Sequence, residues 1–254
     1  EYYQTRLFTF QGKKPVLTEA GEYLLHAFTT LSHDQVYLKE QLLSMQKKEP
    51  ALIFGATLTI GEYVMPRFLI EYQTRHPDTV LTMITANTHE LLDRISDGEI
   101  DFAIVEGYFD KTQYDYLTFS SEPYIAVAGT PLFEDCRPRS LSELLDQKLI
   151  VREPGSGTRE ILEKHLEARN LSIHDFSGVS EIGNIPALKA VVSAGLGITF
   201  LYRSAAEEEL KNGILFDVTP ENFSITHDFT LIWQKGSMFA SRYRTIFEEW
   251  KKKL

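Results

Sequence analysis

Leu17, Leu24, Leu31, Leu38 and Met45 recur every seven residues, and Gly21, Phe28, Gln35 and Leu42 follow the first four by four residues. These are the d and a positions of a heptad repeat. With Thr18 as N-cap, Glu19 placed for the helix dipole and Pro50 as a stop, they predict one helix over 17–49, about 45 Å long. An apolar stripe on a helix with no core of its own must be covered by another helix. Self-association is therefore expected, through Leu17, Leu24, Phe28, Leu31, Leu38, Leu42 and Met45. Gln35 at an a position costs stability and fixes the pairing.

From Ala51 the periodicity changes. Strands are expected over 51–56, 80–86, 100–105 and 117–128, with helices over 62–76 and 89–96. Asp97-Gly98 closes the second helix. This β-α-β-α-β order implies a parallel, doubly wound sheet. The order then restarts. Strands over 148–151, 177–182 and 197–201 alternate with helices over 158–169, 185–194 and 204–211, after a short helix at 141–145. A strand over 229–233 and an amphipathic helix over 241–252 remain, too little for a domain. They are expected to cross back to the first unit. The expected fold class is α/β: two doubly wound lobes with two crossings, forming a hinged clamp behind the long helix. The first lobe spans about 51–129 and 226–254, and the second about 130–225.

The totals narrow the function classes. At 254 residues and 43% hydrophobic content, the chain can build one sizeable core or two small ones. No run of eighteen apolar residues exists, so no membrane span is expected. No secretory leader is in view, and Cys136 is the only cysteine, which fits a reducing cytoplasm. The first residue is Glu, so the native N-terminus is expected upstream. Net charge is −10. Arg6, Lys13 and Lys14 against Glu1 leave residues 1–16 at +2, so the other 238 carry −12. An anionic polymer would be met at the N-terminal end.

In open α/β sheets a ligand sits beyond the carboxyl ends of the strands, near helix N-termini. That rule selects four segments: Thr57-Leu58-Thr59, Glu106-Gly107, Arg152 through Arg159, and Asn184-Ile185. The third is the sharpest. Its glycines, Gly155 and Gly157, let backbone N–H groups converge, while Ser156 and Thr158 add hydroxyls. Arg152 and Arg159 supply charge suited to a carboxylate or oxyanion. An ordinary capped helix start explains the same segment equally well. Thr57 and Thr59 gain weight because they would face Ser156 across the cleft. Glu106 opposes an anion unless it pairs with Arg152 or Arg159, or meets a cationic part of the ligand.

Catalytic signals are poor. No G-x-S-x-G surrounds Ser156, no Walker lysine follows Gly157, and the seven histidines form no ligand cluster. No cofactor or metal is expected.

The segment Leu7-Phe8 through Leu17-Thr18-Glu19-Ala20-Gly21-Glu22 resembles the end of the DNA-binding domain of LysR-type transcriptional regulators. The resemblance extends over essentially the whole chain. It implies that residues 1–16 are the remnant of a winged helix-turn-helix, with Gln11 to Pro15 as the wing. It also implies DNA contacts at Arg6, Lys13 and Lys14, and a linker helix that dimerises. The clamp resembles that family's effector-binding domain, which is related to periplasmic solute-binding proteins. The segment Arg152 to Arg159 and Val105-Glu106-Gly107 look like the branch regulating sulfur assimilation and carbon fixation, which implies a small anionic effector. The family usually has an arginine after the Leu-Phe pair, where this chain has Thr9-Phe10. The implied function is transcriptional regulation by a cytoplasmic homodimer or homotetramer, with double-stranded DNA bound by the full-length protein and no membrane partner. An import-system solute receptor is the alternative. An enzyme using Ser156, Glu106 or Arg159 stands third, since no base–nucleophile pair or metal set accompanies them.

Overall fold

The chain opens on a hairpin of β1 (Phe8–Gln11) and β2 (Lys14–Leu17), with Gln11 opposite Lys14 and Gly12 turning at φ +65°. The computed structural model describes residues 2–47, 51–132 and 138–252, without the side chains of Glu40 and 44–47. Pro50, Cys136 and the Met45 side chain fall outside the described residues.

Thr18 ties the hairpin to helix α1 (Glu19–Lys47). Its hydroxyl donates to the Arg6 carbonyl at 2.6 Å and accepts from Gly21 N–H at 3.1 Å, an N-cap that also anchors the incoming strand. A Cβ on Gly21 would stand 2.1 Å from the Leu7 carbonyl oxygen, so only glycine fits there. Gly21 thus serves the hairpin crossing rather than the helix seam.

Two faces of α1 do different work. Phe28, Leu31, Leu38 and Leu42 are exposed, and Leu17 and Leu24 are half-buried. Roughly 140° around the helix, at 100° per residue, Thr30, His33, Asp34 and Tyr37 face the body of the same chain. Asp34 accepts from Ser237 Oγ at 2.6 Å and from Met238 N–H at 2.9 Å. Tyr37 packs 4.1 Å from the Phe239 ring, and Thr30 Oγ1 donates to the Lys235 carbonyl. His33 is fully buried, with Nδ1 3.0 Å from Asp34 Oδ1. The heptad reading does not foresee this second face, because a polar cluster leaves no mark on hydrophobic periodicity.

The first lobe holds β3 (Ala51–Ala56), α2 (Met65–Arg75), β4 (Val80–Thr85), α3 (Thr88–Ser96) and β5 (Phe102–Val105). β3 pairs parallel with β4 and β5. β5 is buried throughout, as a strand covered on both faces must be. The expected helix over 62–76 begins as a π-turn at Ile60–Val64, with Pro66 in the first turn of α2.

β6 (Tyr114–Ala128) then runs through both lobes. The second lobe adds β7 (Lys148–Val151), α4 (Gly157–Glu167), β8 (Gly178–Glu181), α5 (Ile185–Ser193), β9 (Ile198–Tyr202), α6 (Arg203–Lys211) and the short β10 (Phe216–Asp217). β11 (Ile225–Gln234) returns along β6, and α7 (Ala240–Lys251) closes the chain on the first lobe. The strand order is β4-β3-β5-β11-β6-β9-β7-β8, with β10 beside β6.

The sheet is mixed, not all parallel as the strand–helix alternation implies. β11 is antiparallel to both β5 and β6, and β6 is antiparallel to β9. β11, arriving from the far end of the sequence, lies between β5 and β6 and runs against both, so those two share a direction without pairing. The pairing of β11 with β6 slips between Phe229 and Thr230. That bulge falls where the two long strands pass from one lobe to the other, and bulges bend strands.

Candidate functional site

The loops that follow β3, β5 and β7 bring most of the expected residues together. Thr57 N–H donates to the Ile104 carbonyl at 3.1 Å, which holds the end of β3 beside β5. Across the lobes, Thr158 Oγ1 donates to Glu106 Oε1 at 2.8 Å and lies 3.4 Å from Thr59 Oγ1. Tyr124 OH, on the crossing strand β6, donates to the Thr158 carbonyl at 2.7 Å. A Cβ on Gly157 would stand 2.9 Å from Gly107 N and from Glu106 Cγ. The start of α4 therefore sits directly on the Glu106-Gly107 turn, and glycine is what permits that approach.

Thr57, Thr59, Glu106, Arg152, Ser156 and Thr158 are all buried. Thr57 Oγ1, Glu106 Oε2, Arg152 Nη1 and Ser156 Oγ have no hydrogen-bond partner within the protein. Thr88 Oγ1 and Tyr202 OH share that state. A buried donor or acceptor left unmade costs about 1–3 kcal/mol, so such atoms gathered at the lobe junction make it the candidate ligand site.

The electrostatics are mixed. Arg152 binds Glu153 through Nε and Nη2 at 2.8 and 2.7 Å, which leaves Nη1 for the cleft. Burial pushes the Glu106 carboxyl up, while the Thr158 and Thr59 hydroxyls and the Arg152 charge pull it back.

The other expected residues are placed differently. Arg159 turns within the second lobe: Nε donates to Glu163 at 2.7 Å, and Nη1 donates to Glu181 at 2.8 Å and to the Arg152 carbonyl at 3.0 Å. It positions the Arg152 backbone and spends its own charge on carboxylates. Asn184 caps α5 by accepting from Ala187 N–H at 2.9 Å. Ile185 is buried in a second-lobe cluster with Ile125, Leu188 and Leu201. Leu58, with Tyr63, packs onto that cluster from the first lobe. Leu58 is thus an interlobe contact made by packing rather than by a polar group.

Thr88 and Tyr202 escape the sequence reading. Thr88 opens α3 directly after β4, so the rule that selected the turns after β3 and β5 would have found it had it been applied to β4. Gly107 is bound to that position, since a Cβ there would lie 2.4 Å from Thr88 Oγ1. Tyr202 ends an apolar strand, where its hydroxyl gives no pattern.

Arg6, Lys13 and Lys14 are exposed on the hairpin and its approach. Among the described residues no group of His, Cys, Asp and Glu could hold a metal ion, and no helix is long and apolar enough to cross a membrane.

Two lobes thus meet at a cluster of buried polar groups beside the strand ends, behind a helix with an exposed apolar face. A family profile described as the LysR substrate binding domain matches residues 46–253. The RuBisCO operon transcriptional regulator of Acidithiobacillus ferrooxidans is 30% identical over 246 residues, covering 95% of this chain and 78% of that protein. The HTH-type transcriptional activator CmpR of Synechocystis is 27% identical, covering 93% of this chain and 77% of that one. Among solved structures, the Synechocystis CcmR regulatory domain in complex with 2-PG superposes with a TM-score of 0.71 at 20% identity, covering 81% of this chain and 99% of that one. OxyR of Corynebacterium glutamicum gives 0.72 at 21% identity, covering 97% and 76%. The chain belongs to the LysR-type transcriptional regulators. The RuBisCO operon regulator lies in the carbon-fixation branch to which the motifs point, and it and CmpR are both named as regulators of transcription.

Proposed function

We propose that this regulator senses a small anionic metabolite between its lobes, held by Thr57, Thr59, Glu106, Arg152, Ser156 and Thr158. Thr88 and Tyr202 complete the set. The observation that carries this reading is the convergence of buried polar atoms from both lobes that lack a protein partner. Arg152 Nη1 is the cation among them and suits an oxyanion. The 2-PG bound to the similar CcmR domain supports a small organic ligand in this fold. The lobes divide at β6 and β11, close to 129 and 226.

The exposed Phe28, Leu31, Leu38 and Leu42, with the half-buried Leu24, pair with a second copy, and Arg6, Lys13 and Lys14 reach DNA phosphates in the full-length protein. Coupling follows if the ligand binds one arrangement of the lobes more tightly, since that shifts the subunits and the DNA readers they carry.

Native mass spectrometry of the purified protein identifies any retained metabolite. Calorimetry with that metabolite then tests the cleft. Ser156→Ala and Thr59→Ala should each weaken binding by roughly 1–3 kcal/mol with unchanged thermal unfolding. Wild-type affinity in both would refute the assignment. Changing Leu24 and Leu31 together to Glu should shift the sedimentation coefficient towards that of the single chain. An unchanged profile would remove the seam as the interface.

A further inference from the structure

We infer that the bound state holds one proton between Glu106 Oε2 and an oxygen of the effector, so that the cleft selects an oxyanion able to carry a proton. Phosphate and phosphate monoesters are of that class, and sulfate is not. The inference rests on the anion-binding reading above and sharpens it.

The argument starts from what surrounds Glu106. The residue is 2% exposed, and the two oxygens of its carboxyl are in unlike states. Oε1 accepts from Thr158 Oγ1 at 2.8 Å, while Oε2 has no partner within the protein. The groups facing it are the hydroxyls of Thr59 and Thr158, the backbone N–H of Thr158 at the start of α4, the phenols of Tyr124 and Tyr202, and Arg152. His227, on β11, reaches the Glu106 backbone rather than its carboxyl. Among the described residues Arg152 is the one cation acting on this carboxyl, and Glu153 already holds two of its three nitrogens.

A fully ionised anion placed on Thr57, Ser156 and Arg152 Nη1 would set a second negative charge against a buried carboxylate. Like charges in a low-dielectric site cannot both stay ionised at neutral pH. A proton resolves the conflict by turning the repulsive oxygen pair into a short, charge-assisted O–H···O bond. Burial already raises the proton affinity of Glu106, so the carboxyl is prepared to share it. An anion that carries its own proton brings it to Oε2 as donor. An anion that cannot must wait for Glu106 to take one from solvent, and that becomes less favourable as pH rises.

Inorganic phosphate and inorganic sulfate test this directly, because they match in shape and differ in whether they keep a proton. Each is titrated calorimetrically into the full chain from pH 6 to pH 8.5, in two buffers of different ionisation enthalpy, so that protons taken up are counted. Phosphate is expected to bind at least tenfold more tightly than sulfate at pH 8, and sulfate to weaken with rising pH while taking up one proton. Glu106→Gln keeps an acceptor for Thr158 and presents an amide donor in place of the shared proton. In that variant sulfate binding should strengthen at pH 8 and lose its pH dependence. Equal binding of both anions by wild type, with no proton uptake, would overturn the inference and leave the anion cleft standing. Binding of neither anion would overturn the anion reading and the inference with it. The proton count in wild type needs no variant, so a Glu106→Gln chain that failed to fold would still leave the question decided.

Discussion

Replacing Gly157 with valine is expected to abolish effector binding, by a hundredfold or more, while the protein stays folded. The hydrogen of Gly157 points at the Glu106-Gly107 turn of the opposite lobe. A Cβ there meets Gly107 N at 2.9 Å and Gly107 Cα at 3.0 Å, both backbone atoms of a buried loop. Neither side can yield as a flexible side chain would, so the lobes must part. Separation breaks the Thr158–Glu106 bond and takes Ser156 and Arg152 away from Thr57. The factor of a hundred corresponds to about 2.7 kcal/mol, of the order of two buried hydrogen bonds lost. The lobe cores are not touched, so thermal unfolding should move little. Small-angle scattering should report a wider molecule that no longer contracts with ligand. Full retention of binding would show that the lobes do not close at Gly157.

Trp250→Ala carries the largest expected loss of stability, about 3–5 kcal/mol. Trp250 is 2% exposed near the end of α7. Its ring lies 5.3 Å from Phe54, 5.8 Å from Phe102 and 6.4 Å from Phe119, mostly edge to face. Those neighbours come from β3, β5 and the crossing strand β6. The last helix thereby seals the first lobe, and removing the indole leaves a cavity that three strands cannot collapse into. Urea denaturation should show a lower midpoint. A midpoint within error of wild type would mean that α7 is not integral to the lobe.

Much of the fold is legible in sequence, because the relevant signals are periodic or local. The heptads mark α1, the apolar run of β5 marks a strand covered on both faces, and the lone strand and helix at the end announce the return crossing. The candidate ligand loops are legible for a topological reason: strand ends next to helix starts collect exposed backbone N–H groups. What escapes the sequence depends on partners distant in the chain. The antiparallel run of β6 and β11 is set by a strand that arrives more than a hundred residues later and inserts between β5 and β6. Arg159 has the right chemistry for an anion, yet Glu163 one turn on and Glu181 on β8 claim it first. Asp34 lies off the a and d positions, and its partners Ser237 and Met238 are 203 and 204 residues away in the chain.

That last contact makes α1 a lever. Its fulcrum is the Thr30–Tyr37 face clamped to the first lobe, and its free arm carries the hairpin. From Thr30 back to Glu19 the arm is about 17 Å long at 1.5 Å per residue, so a 10° rocking of the lobe would sweep the hairpin end through about 3 Å. A displacement of that size is comparable to the spacing of adjacent base pairs. Because the fulcrum is polar and buried, cutting it with Asp34→Ala would leave sensing in the cleft intact and disconnect it from the arm.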